Sequence, residues 1–279
     1  MPRRLFSVRL RASERLIVAY FLYVNLLGPF FITDWWRGWL MVLGAIGVFA
    51  LVSRSQNRLV MMLRDWLPLA ATIVAFKQMN WFGRATDHHL ENAWVQWDRW
   101  LLPHVSSMFE ASGAFLPGFF ELCYVLVYAV APVSIALLMI QGKRENLNRF
   151  WLAYLAGTLS VYALFPFFPS QPPRILFPTE NLPHVITALR RFNLFILGRY
   201  SIHASVFPSA HVSSAFSAAW GLLYTIPKRP IFGWTMAFYG VCVSIATVYG
   251  RYHYAADALA GFAMSMVALA LCLRFRERS

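Results

Sequence analysis

The sequence predicts an all-α protein, a polytopic membrane bundle of about eight transmembrane helices. Three observations carry this expectation. The 279 residues are 59% hydrophobic and only 13% charged, where soluble domains average about 25% charged residues. Apolar runs long enough to span, about 17 to 25 residues each, recur along the whole chain. The basic residues that accompany them collect in short segments between the runs.

The runs fall at roughly 16–33, 37–53, 64–82, 116–140, 149–168, 209–226, 231–249 and 253–273. The first follows a basic head, as a secretory signal would. However, the run ends in "ITDWWRGW" with no small-residue cleavage site, which reads as an interfacial aromatic belt after an uncleaved span. The third holds Lys77 and Asn80. Between the third and fourth runs, residues 83–115 mix Trp with charges and read as an interfacial amphipathic helix. Pro166, Pro169, Pro172 and Pro173 end the fifth span, because proline removes a helix donor and clashes with the preceding turn. The first two spans, with a basic tail, form an extension over 1–63, and 64–279 forms a six-helix core with a basic C-terminal tail.

Charge placement fixes an expected topology. With eight spans, one set of alternate segments carries Arg3, Arg4, Arg9, Arg11, Arg15, Arg54, Arg58, Arg64, Lys143, Arg144, Arg149, Lys228, Arg229, Arg274, Arg276 and Arg278. Those are 16 of the 25 Lys and Arg residues, so the positive-inside rule puts both termini in the cytoplasm of a plasma or inner membrane. The same clustering argues against a nucleic-acid partner despite the net charge of +13. Cys123, Cys242 and Cys272 lie inside apolar runs without motif spacing and read as small buried hydrophobes.

Three polar groupings are then expected at one depth on the outer face. Arg174 follows the fifth span. "FPSAH" opens the sixth, where Pro208 and Ser209 are helix-start residues and His211 sits in the first turn. The unpaired N–H groups and positive dipole end of such a helix suit a phosphate. "RYHYAAD" opens the eighth, with His253 and Asp257 spaced i, i+4 on one helix face. A carboxylate holding one ring nitrogen fixes the tautomer and frees the other as base or nucleophile. Arg174 and Arg251 are the clamp candidates, since guanidinium matches phosphate oxygens bidentately. Arg190, Arg191 and Arg199 suit lipid headgroups or the rest of a substrate. Asp98 is expected to pair with Arg99 or the interface. "DHH" at 87–89, His104 and His203 read as surface or interfacial histidines, and no metal-ligand spacing appears.

"FPSAH" followed by "RYHYAADALAG" resembles the type-2 phosphatidic acid phosphatase superfamily, whose PSxH-type and HxxxD motifs flank two successive membrane helices. More narrowly, "FPFFPSQPPR", "RDWLP" and "WDRWLL" resemble the branch of inositol-phosphorylceramide (aureobasidin-resistance) synthases. The resemblance covers about residues 64 to 273. It implies a metal-independent lipid phosphatase or phosphotransferase, without cofactor, acting on a lipid phosphate or phospholipid. It implies His253 as the nucleophile that becomes a phosphohistidine, Asp257 as its orienting partner and His211 as the acid and base. Arg174, Ser209 and Arg251 would bind the substrate phosphate. The chain departs from the superfamily pattern at Phe167, Ile175 and Thr247, where Lys, Pro and Arg are usual. These departures match the synthase-like branch better than the plain phosphatases. The alternative from the residues alone is a transporter or inactive scaffold that uses the His/Asp cluster for proton or anion relay.

Overall fold

The computed structural model describes residues 9–84 and 86–276, with side chains as far as Arg274; of the basic residues above, Arg3, Arg4, the Arg276 side chain and Arg278 lie outside that range. Helices α1 (Ala12–Phe31), α2 (Arg37–Arg54), α3 (Arg58–Gln78), α4 (His89–Glu110), α5 (Phe115–Leu126) and α6 (Val130–Ile140) come first. They are followed by α7 (Leu147–Leu164), a single turn α8 (Pro173–Leu176), α9 (Ala188–Tyr200), α10 (Ala210–Thr225), α11 (Ile231–Tyr249) and α12 (Ala255–Arg276). No strand occurs among the described residues, so the fold is all-α.

Seven segments are long and apolar enough to cross a membrane: Ala12–Phe31, Arg37–Arg54, Arg58–Phe82, Phe115–Ile140, Arg144–Phe167, Ile231–Tyr249 and Ala255–Arg274. The protein is an integral membrane protein. The remaining expected span, 209–226, is α10, whose 16 residues fall short of that length. At 1.5 Å per residue it rises about 24 Å, slightly less than a hydrocarbon core of about 30 Å. It is also the central helix, packed against α7, α11 and α12.

Composition explains that position. Along α10, Ser213, Ala215, Ser217, Ala218, Ala219 and Gly221 are all buried. In lipid no hydrophobic drive brings helices together, so small side chains that permit close backbone approach do this work. Gly157 of α7 faces Ser217 so closely that a Cβ at 157 would overlap the Ser217 hydroxyl. By contrast α2 is bare outside, with Leu40, Leu43, Ile46 and Leu51 exposed, as a helix facing acyl chains is.

The two ends of the bundle differ. At one end Arg11 and Arg144 both reach Asp65 at 2.7 Å, and Arg64 reaches Glu14 at 2.6 Å. That gathers the starts of α1, α3 and α7, and the Asn146 amide adds the last turn of α10 by donating to the Thr225 carbonyl at 2.9 Å. The opposite end carries the expected polar groupings. There α4 lies with Glu91, Val95, Asp98, Leu102 and Phe109 turned inward and Trp97, Trp100 and Met108 exposed. The helix is amphipathic, but two carboxylates are on its inner face.

Candidate active site

The start of α10 and the turn into α12 are stitched together by backbone. The Ser209 N–H donates to the Asp257 carbonyl at 2.9 Å. Gly261, one turn further along α12, lies against the Ser209 carbonyl so closely that any Cβ would overlap it. The Ser209 hydroxyl caps α10 by accepting from the Val212 N–H at 3.4 Å. Serine is favoured there because its oxygen satisfies one of the donors a helix start leaves open. With Ser209 and Val212 accounted for, Ala210 and His211 carry the unclaimed N–H groups of that first turn among the described residues.

On the other side, the Thr247 carbonyl accepts the N–H groups of Tyr252 and His253 at 2.9 and 3.0 Å, which turns the chain sharply after α11. Arg251 in this turn has φ +60°, a left-handed conformation that costs a non-glycine residue about 1 to 2 kcal/mol. His253 follows, nearly buried, its Nδ1 lying 3.1 Å from Asp257 Oδ2. The same oxygen accepts the Tyr254 N–H at 3.0 Å. The Asp257 carboxylate is fully buried, and its other oxygen, Oδ1, has no hydrogen-bond partner among the described residues.

The two histidines meet across this seam with ring centroids 5.8 Å apart. His211 is also flanked by the rings of Tyr124 at 5.1 Å and Tyr128 at 5.5 Å. No carboxylate pairs with His211 among the described residues, whereas His253 has Asp257. One imidazole is therefore held by a carboxylate and the other is not.

The two candidate arginines separate. The Arg174 N–H donates to the Arg251 carbonyl at 3.2 Å, and its guanidinium sits 5.7 Å from the Tyr252 ring centroid. It is within electrostatic reach of His253, Tyr124 and Tyr128. No carboxylate neutralises it among the described residues. Arg251 is instead fully buried, with Nη1 donating to Asp98 Oδ2. Asp98 Oδ1 accepts the Ala255 N–H at 3.0 Å and so also caps α12. Arg174 is left as the uncompensated cation beside the histidines, and Arg251 as a charge already answered.

Two expectations are corrected here. Asp98 does not pair with Arg99; Arg99 binds Glu180 through two hydrogen bonds of 2.9 and 2.7 Å. The i, i+1 neighbours point away from each other on α4, which frees Asp98 to face inward. Arg190 does not reach for headgroups; it is buried and held at 2.8 Å by Glu121. Glu121 also accepts the Tyr252 hydroxyl at 2.6 Å and the Asn193 amide at 2.7 Å, while Arg190 Nη1 reaches the Gly250 carbonyl at 3.3 Å. Glu121, Arg190 and Asn193 therefore brace the turn through Tyr252 and the Gly250 carbonyl, as Asp98 does through Arg251. The only sequence signal for this brace is ionisable residues inside or beside apolar runs, which are costly to bury unpaired.

Other histidines stand apart. His89 pairs with the exposed Asp87 at 2.6 Å, His88 lies 3.1 Å from Glu91, and His203 is exposed. Among the described residues no group of three or more His, Cys, Asp and Glu side chains is arranged to hold a metal ion.

The fold and the site together define a membrane-embedded helical bundle with two facing histidines and an uncompensated arginine at one end. The family model of the PAP2 superfamily matches residues 92–271, well over half of the chain, and the chain belongs to that superfamily. Phosphatase or phosphotransferase chemistry on phosphorylated substrates is what that membership supports. The match begins inside α4, after the three helices α1, α2 and α3. Comparison with curated proteins and with solved structures gives no match.

Proposed function

We propose that the protein is a lipid phosphate phosphatase or phosphotransferase that works through a phosphohistidine on His253. The observation that carries this reading is the seam itself. An imidazole held by Asp257 faces a second, unpaired imidazole at 5.8 Å, with the uncompensated Arg174 beside them.

In the first step the free Nε2 of His253 attacks phosphorus while the bond from phosphorus to the lipid alcohol oxygen breaks. His211 gives its proton to that leaving oxygen. Asp257 keeps Nδ1–H directed at itself, so that the attacking nitrogen presents its lone pair, and balances the positive charge that builds on the ring. Arg174 and the Ala210 and His211 N–H groups hold the phosphoryl oxygens, where charge develops as the bonds exchange. Ser209 serves by capping the helix that aims those N–H groups. In the second step an acceptor hydroxyl loses its proton to His211 and attacks phosphorus, and His253 leaves. Water as acceptor makes the reaction a hydrolysis; a lipid or polyol alcohol makes it a transfer, as in the inositol-phosphorylceramide synthases that the Pro-rich "FPFFPSQPPR" resembles. Arg251 acts through the shape of the turn. The charge pattern supports an active site on the outer face of the membrane, opposite the cytoplasmic termini.

The test is turnover of a panel of lipid phosphates, with and without alcohol acceptors, by the purified protein. His253→Ala and His211→Ala are expected to lose activity while remaining folded, and vanadate, which mimics five-coordinate phosphorus, to inhibit the wild type. Full activity in His253→Ala overturns the mechanism.

A further inference from the structure

At the end of the bundle opposite His211, the start of α7 and the last turn of α10 border an open cavity of about 410 Å³. Sites for small ligands span about 300 to 1,000 Å³. Lys143, Arg149 and Lys228 line it together with Asn146, Tyr224 and Ile226. The Asn146 amide is committed to the Thr225 carbonyl at 2.9 Å, which fixes one wall.

The cations at this end fall into two sets. Arg11, Arg64 and Arg144 are answered by Asp65 and Glu14 at 2.6 to 2.7 Å. Arg149 and Lys228 have no carboxylate partner among the described residues. Lys143 has only Glu145 at 3.5 Å, with both side chains about half exposed, and such surface pairs contribute little. Three positive charges therefore border one cavity without close compensation, at the end of the bundle where α7 begins and α10 ends. Tyr224 and Ile226 add an apolar floor. Basic pockets between membrane helices recognise anionic headgroups in this manner.

We infer that this cavity binds a phosphate-bearing anion, independently of the chemistry at His253, and that it takes the headgroup of an anionic phospholipid from the leaflet at that end. The phosphate would lie among Lys143, Arg149 and Lys228, with the glycerol portion over Tyr224 and Ile226.

Native mass spectrometry of the full-length protein in detergent tests this, titrating phosphatidylglycerol against phosphatidylcholine, with inorganic phosphate as a separate soluble arm. The double variant Arg149→Gln/Lys228→Gln removes two cavity charges. Arg54→Gln/Arg58→Gln removes two exposed charges at the same end but outside the cavity. Phosphatidylglycerol adducts are expected on the wild type and on Arg54→Gln/Arg58→Gln at about tenfold lower lipid than on the cavity variant. Equal adducts on all three proteins overturn the site. An equal loss in both double variants also overturns it, since that signals diffuse attraction to the basic end. Binding of inorganic phosphate, lost in the cavity variant and without preference for phosphatidylglycerol, overturns the lipid source and leaves a free-phosphate site.

Discussion

Asp257 serves two motifs at once: its carbonyl accepts the Ser209 N–H at 2.9 Å while its carboxylate takes the His253 ring at 3.1 Å. The helix start that carries His211 is thereby locked to the turn that carries His253, just before α12. The separation of the imidazoles is set by backbone contact, not by flexible side chains.

Gly261 is the simplest probe of that lock. Gly261→Ala places a methyl group on the Ser209 carbonyl and must push α12 away from α10. Overpacking of this kind costs about 1 to 3 kcal/mol. Turnover is expected to fall at least tenfold while the helical circular dichroism spectrum is unchanged. Wild-type turnover in Gly261→Ala would show that the seam tolerates slack.

Asp257→Asn preserves shape but removes the charge that orients and supports His253. A loss of about 10²- to 10⁴-fold in kcat is expected, in line with general acid–base contributions, with KM much less affected. Steady-state kinetics on a lipid phosphate measures it; a change confined to KM would place Asp257 in binding instead.

Asp98 and Arg251 form a buried ion pair spanning α4 and the α11–α12 turn. Asp98→Ala strands the Arg251 charge, and breaking such a pair from one side costs about 3 to 5 kcal/mol. Asp98→Ala/Arg251→Met is expected to regain much of the thermal stability but not the activity, because the turn before His253 loses its anchor. Thermal unfolding in detergent and turnover report the two effects separately. If the double variant is no more stable than Asp98→Ala, the pair is not the source of the cost.

The Arg99–Glu180 tie holds the segment after α8 against the outer surface of α4. Hydrogen bonds from Arg99 keep the Glu180 carboxyl below its ordinary value. A carboxyl lowered in the folded state stabilises above its unfolded pKa, about 4.3, and that contribution disappears as pH falls through the lowered value. Amide exchange at 177–182 is expected to quicken relative to α10 as the pH is lowered below about 4, after correction for intrinsic rates. Glu180→Gln should show the quicker relative exchange already at pH 7.

Local chemistry explains what the sequence made legible. Ser209 caps because helix starts favour it, and Asp257 reaches His253 locally, although His253 lies in the turn before α12 begins at Ala255 and not on a helix face as the i, i+4 spacing suggested; neither contact needs a distant partner. The all-α membrane fold was legible from apolar run lengths, although α10 is too short to meet a span criterion by itself. Pairings across the chain were not legible. Arg251 and Asp98 are 153 positions apart, and Arg190 and Glu121 are 69 apart. A sequence displays each charge without showing what neutralises it, so Arg251 and Arg174 looked alike as clamps. Only the packing of α4 and α9 separates a braced arginine from an uncompensated one.

The most direct test is a rapid acid-free quench of the protein with a ³²P-labelled lipid phosphate, followed by peptide mapping. The account predicts a base-stable, acid-labile phosphoryl group on the peptide carrying His253, present in the wild type and absent from His253→Ala. Label on another residue, or turnover by the wild type with no label trapped on any millisecond-to-second quench, would contradict it.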